Sequence, residues 1–163
     1  MPSPSWPANI TARSSTSCTA QKTVALRYFN VFGPRQDPSS EYSGVISRFI
    51  SALIRGEQPV IFGDGEQTRD FVYVKDVVRA NILASCSGYG VFNIAGGRWT
   101  SLNELASLTG KILKRDVQPG HRDPRPGDIR DSLADISRAK VIGYKPETSL
   151  EDELAETIRW FSR

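Results

Sequence analysis

An α/β fold is what this sequence predicts, with α+β as the neighbouring alternative, and three observations carry the prediction. Short apolar runs, "TVALRYF", "PVIF" and "GVFNIAGG", are bounded by glycine and proline. Stretches with apolar residues at helical spacing alternate with them. The first run is nearly continuous in Val, Leu, Tyr and Phe, as in strands covered on both faces. Strands alternating with helices give an α/β class.

The elements follow in order. Thr23 to Phe29 reads as a strand, and "FGPRQDPSSEYSG" behind it as a loop. From Ser43 to Arg55, the residues Val45, Ile46, Phe49, Ile50, Leu53 and Ile54 fall at helical spacing, and Gly56 stops the helix. "PVIF" is a short strand closed by the turn "GDGEQ", and Phe71 to Val74 is a second extended piece. Asp76 is a candidate N-cap for a helix from Val77 to Ala84. After the strand "GVFNIAGG", Ser101 and Glu104 open a helix with a capping box. "DVQPGHRDPRPGD" reads as a long irregular stretch, of a length that tends to be functional. Asp135 can cap a short helix over "ISRAKVI", and Ser149 with Asp152 the last one, "LEDELAETIRWF".

Composition narrows the function. The 163 residues carry a formal charge of +3, with Lys and Arg scattered among acids, so a nucleic-acid partner has no basic block behind it. No stretch approaches the ~18 apolar residues of a membrane span. The N-terminus has no apolar segment of the secretory kind. Cys18 and Cys86 show no metal-binding spacing, which reads as a reduced, cytoplasmic chain. His121, the only histidine, sits among Arg, Asp and Pro and reads as a solvated loop residue.

Two arginines mark candidate chemistry. Arg69 follows a glycine turn and precedes an extended segment, and Arg125 lies between prolines in "RDPRPGD". The planar guanidinium fork suits bidentate grip on phosphate oxygens. The same arginines could instead be solvated or pair with Asp70, Asp123 and Asp128. Asn30 is polar at the end of an apolar strand, where parallel sheets hold ligands. Val60, Ile61 and Phe62 offer backbone groups and a flat ring to a base, or else pack in the core. There is no GxGxxG loop and no plausible Ser/His/Asp or Cys/His set.

Six stretches carry a resemblance: "ALRYFNVFGPRQDP", "IFGDGEQTRDFVYVKDVVRANILA", "FNIAGGRWTSLNEL", "RPGDIRDSLADISRAK", "IGYKP" and "TSLEDELAETIRWF". From Lys22 to Phe161 they resemble the C-terminal half of the extended short-chain dehydrogenase/reductases, NAD-dependent epimerases and dehydratases, and are most similar to UDP-sugar 4-epimerases. The resemblance implies the C-terminal part of a Rossmann-like fold with a small α/β substrate-binding lobe. It implies NAD as a resident cofactor, a UDP-sugar as substrate, and homodimers for intact members. Carried over by motif, Tyr28 lies near the nicotinamide and Asn30 contacts the diphosphate. Gly44, Val45 and Phe49 line the nucleotide pocket, and Val60, Ile61 and Phe62 cradle uracil. Arg69 and Arg125 hold the phosphates, and Asp128 bonds at the nucleotide end. A fragment of a related dehydratase or decarboxylase, or a non-catalytic piece of a broken gene, is the alternative.

The glycine-rich NAD loop and the catalytic Tyr-x-x-x-Lys of that family do not occur in these residues, so the chain alone is expected to be inactive. Residues 1–21, rich in Ser, Thr and Pro, are expected to be an irregular leader before a folded unit over 22–163. Read one base earlier, their back-translation permits Tyr-Ala-Val-Ser-Lys-Leu-Ala-Gly-Glu-His-Tyr, the family's catalytic helix, so the leader is expected to be that helix out of frame. Without upstream strands the apolar edge from Val24 to Phe29 is expected to self-associate.

Overall fold

The computed structural model describes residues 23–40, 44–86 and 89–163. The expectations for the leader, Cys18 included, lie outside them. The elements are β1 (Val24–Tyr28), β2 (Asn30–Phe32), α1 (Val45–Ile54), β3 (Val60–Phe62), β4 (Thr68–Arg69), β5 (Phe71–Tyr73), α2 (Val74–Cys86), β6 (Gly90–Ile94), β7 (Thr100–Ser101), α3 (Leu102–Leu113), β8 (Gly120–Arg122), a 3-10 helix (Ser137–Ile142) and α4 (Leu150–Phe161).

The strands pair two by two. β1 runs parallel to β6, β2 parallel to β5, β3 parallel to β8, and β4 antiparallel to β7. Three parallel pairs and intervening helices make the α/β class of the sequence reading.

β5 divides the interior. Successive side chains of a strand point to opposite faces. Phe71 and Tyr73 join a core with Phe32, Ile50, Ile61, Leu105 and Leu154, which glues α1, α3 and α4 together. Val72, between them, joins a second core with Ala80, Phe92, Ile94 and Tyr144, under α2 and the β1–β6 pair. One three-residue strand thus anchors both halves.

Helix ends follow their expected chemistry in several places. Ser101 accepts a hydrogen bond from the N–H of Glu104, and Ser149 from that of Asp152. α1 ends at Gly56, whose φ of 78° lies in the left-handed region. Asp135 accepts from the N–H of Ser137, although the turn it opens is 3-10 rather than α.

Two elements differ from the sequence reading. α2 begins at Val74, directly from β5, so Asp76 sits inside its first turn and is no cap. That carboxyl is 1% exposed and paired with Arg79 one turn on, and burial raises its pKa. The irregular stretch contains β8: Gly120, His121 and Arg122 pair with Val60, Ile61 and Phe62. All three β8 residues are exposed, so no apolar alternation marks the strand.

Candidate functional site

Two adjoining cavities lie against α1, the larger between it and the β3–β8 ribbon and the smaller between its first turn and the β2–β5 pair. The larger, about 650 Å³, has one wall from α1 and another from β3. Val45, Arg48, Phe49 and Ala52 face it from α1, at the 3–4 residue spacing of one helical face. Val60, Ile61 and Phe62 face it from β3, and Arg125 to Asp128 close one end. The smaller cavity, about 270 Å³, is lined by Asn30, Gln36, Gly44, Arg69 and Phe71. Val45 and Leu102 line both.

The position of Arg125 and Asp128 is written in the backbone. Arg125-Pro126-Gly127-Asp128 forms a tight turn closed by the Asp128 N–H donating to the Arg125 carbonyl at 3.1 Å. Proline at the second position and glycine at the third, with φ of 80°, are what a type II turn requires. The turn brings its end residues to one cavity. The Arg125 guanidinium lies 4.0 Å above the centroid of the Phe62 ring, a cation–π contact that presents a charge beside an aromatic face.

Arg69 comes from the opposite side, on β4. Its side chain is 16% exposed and pairs with Asp128, which is 35% exposed. It also donates to the carbonyl of Thr68 at 2.8 Å. Asn30 uses its Nδ2 to donate to the Asp70 carbonyl at 3.0 Å, which fixes the end of β1 and β2 against β5. Asp70 is fully buried and accepts from the backbone N–H groups of Gly96 and Gly97. Burial raises its pKa in spite of these donors.

All ten residues carried over for substrate binding line one cavity or the other. Tyr28 does not: its ring is 47% exposed at the end of β1, and its hydroxyl donates to Asn81 at 3.0 Å. The pairing of Arg69 with Asp128, left open by the sequence, occurs. The sequence reading missed Arg48, Arg122, Gln36 and Gln67, which line the cavities as well. Arg48 was within reach, since it shares a helical face with Val45 and Phe49. Arg122 was not, because its place beside Phe62 depends on the β3–β8 register.

The chain is similar to several known proteins. A solved UDP-N-acetylglucosamine 4-epimerase from Methanobrevibacter ruminantium, in complex with UDP-N-acetylmuramic acid, superposes with a TM-score of 0.92 at 47% identity, over 96% of this chain and 51% of its own. The Thermus thermophilus UDP-glucose 4-epimerase in complex with NAD superposes at 0.85 with 29% identity, over 93% of this chain and 50% of its own. In sequence, a putative UDP-glucose 4-epimerase of Methanocaldococcus jannaschii is 42% identical over 135 residues, 83% of this chain and 44% of that protein. The chain therefore spans about half the length of these relatives. The NAD dependent epimerase/dehydratase family matches residues 9–95, more than half of the 163 residues. By that match the chain belongs to the NAD dependent epimerase/dehydratase family.

Proposed function

We propose that this chain is the nucleotide-sugar-binding portion of an NAD-dependent UDP-sugar 4-epimerase. The convergence of ten motif residues on two adjoining cavities, with Arg125 and Asp128 at one end of the larger and Arg69, paired with Asp128, in the smaller, carries the reading. The base lies against β3 and the Phe62 ring, and the diphosphate lies between the two guanidinium groups. The sugar then extends toward Asn30 and Gly44 in the smaller cavity.

NAD, when bound, supplies the hydride acceptor for the sugar C4. The half-exposed Tyr28 ring, at the carboxyl end of a parallel strand, fits one flat face of such a cofactor. The 163 residues carry no GxGxxG for its diphosphate and no Tyr-x-x-x-Lys for the proton of the 4-hydroxyl. The residues present bind and orient; on its own the chain binds without epimerising.

Calorimetric titration with UDP tests the reading. Charge-assisted hydrogen bonds contribute about 1.5–3 kcal/mol each. Arg69→Ala and Arg125→Ala should each weaken binding by about tenfold or more. Equal affinity in wild type and both variants would overturn it. In the conversion of UDP-galactose to UDP-glucose with NAD added, turnover that persists at constant specific activity through purification would overturn the binding-only role.

A further inference from the structure

The 125–128 turn hangs between two anchored flanks. On one side β8 lies in a parallel ladder on β3, ending with Arg122 beside Phe62. On the other, only Ile129 separates Asp128 from a segment fastened along β4. The N–H of Thr68 donates to the Arg130 carbonyl at 2.8 Å, and Thr68 and Asp131 form a parallel bridge. At the same step the Thr68 hydroxyl donates to the Asp131 carboxylate at 2.9 Å. Farther on, the N–H of Ala134 donates to the buried Asp70 carboxylate at 3.1 Å. Residues 130–134 thus run as a strap beside residues 68–70.

The strap bears on how far apart Arg69 and Arg125 stand. Arg69 is rooted in β4, next to Thr68, and Arg125 in the turn. A diphosphate held by both guanidinium groups needs them at one spacing. Ordering two groups at that spacing costs conformational entropy on binding unless the scaffold already fixes them. Neither Thr68 nor Asp131 lines either cavity, so their bond acts on a ligand only through the backbone it holds.

We propose that Thr68 and Asp131 are positioning residues, whose hydrogen bond holds the 125–128 turn beside β4 at the spacing Arg69 and Arg125 need for a diphosphate. The proposal rests on the reading above, in which those two arginines grip the diphosphate. A nucleoside monophosphate brings a single phosphate group, which one guanidinium can hold without the other. Loosening the strap therefore weakens the grip on a diphosphate and spares a monophosphate.

The test is calorimetric titration of wild type, Thr68→Val, Thr68→Ser, Asp131→Ala and Asp131→Asn with UDP and with UMP, below the lowest of their thermal unfolding midpoints. UMP is followed by displacement of UDP where its own heat is too small. Thr68→Ser keeps the hydroxyl donor and Asp131→Asn keeps an acceptor oxygen, so both retain the bond, and Asp131→Asn shows the effect of the charge alone. UDP should bind about threefold or more weaker in Thr68→Val than in Thr68→Ser, and in Asp131→Ala than in Asp131→Asn, the scale of one hydrogen bond, while UMP stays within about twofold in each pair. Partial unfolding weakens both ligands alike, so equal losses of UDP and UMP overturn the proposal, as does an unchanged UDP affinity in either pair. Arg69→Ala and Arg125→Ala separate the two readings. A loss of UDP binding there, with none in Thr68→Val or Asp131→Ala, rejects the positioning role alone. No loss there, or no UDP binding by wild type, rejects the diphosphate reading and the positioning role with it.

Discussion

The carboxylate of Asp70 accepts a hydrogen bond from the backbone N–H of Ala134 at 3.1 Å, across 64 residues of chain. It also accepts from Gly96 at 2.8 Å and Gly97 at 3.0 Å. One buried acid thus ties the junction of β4 and β5 to the loop after β6 and to the segment that follows the Arg125–Asp128 turn. Arg69, its neighbour in sequence, pairs with Asp128 and donates to the carbonyl of Arg130 at 3.4 Å.

Asp70→Ala should therefore lower the free energy of unfolding by about 3 kcal/mol, because it leaves several buried N–H donors unpaired at about 1–3 kcal/mol each. Asp70→Asn keeps one acceptor oxygen and should lose less. Urea unfolding followed by circular dichroism checks the order; an Asp70→Ala variant as stable as wild type would refute the clamp.

Gly96→Ala tests the same corner by volume. A Cβ at Gly96 would stand 2.3 Å from the carbonyl oxygen of Phe71, a backbone atom of β5. The strand anchors both cores and cannot retreat cheaply, so the cost is about 2 kcal/mol, within the range for overpacking. Thermal unfolding reads it, and an unchanged midpoint would show that β5 yields.

Phe62→Leu removes the ring under Arg125. The exposed cation–π contact contributes about 0.5–1 kcal/mol, and a base would also lose its flat partner. UDP affinity should fall about three- to tenfold, whereas Phe62→Tyr should retain it. Calorimetry on the pair decides; equal losses in both variants would argue against a role for the ring face.

Glu153 gives a pH-dependent prediction. It is 2% exposed, and burial raises its pKa above the usual 4.5, against the lowering effects of the Thr148 hydroxyl and the Arg98 guanidinium. Between the usual and the raised value the folded chain holds more protons than the unfolded one. The stability this group contributes is present below the usual value and is lost as pH rises through the raised one. Glu153→Gln does not titrate there. The stability of wild type relative to Glu153→Gln should be greatest below the usual value of 4.5 and fall as pH rises above it. Thermal midpoints of both proteins at matched ionic strength check the sign, and a relative stability of wild type that grows with pH would contradict it.

Local chemistry made much of this protein legible in its sequence. The apolar run of β1, the helical period of α1, the caps at Ser101 and Ser149, and the glycine that stops α1 each rest on a few neighbouring residues whose preferences agree. The motif stretches likewise named ten residues that the fold gathers around two cavities, because a short sequence with one turn geometry, such as Arg-Pro-Gly-Asp, fixes the relation of its own ends. Tertiary structure alone decided what distant segments do to one another. β8 is a strand only because β3 offers it a ladder; Gly-His-Arg has no pattern of its own. Asp76 became a buried ion-pair partner because α2 starts without a loop after β5. The choice of Asp128 as the partner of Arg69, over solvent and over Asp70 and Asp123, was likewise made by three-dimensional placement. An ion pair depends on distance and desolvation, and a linear sequence specifies neither until the chain has folded.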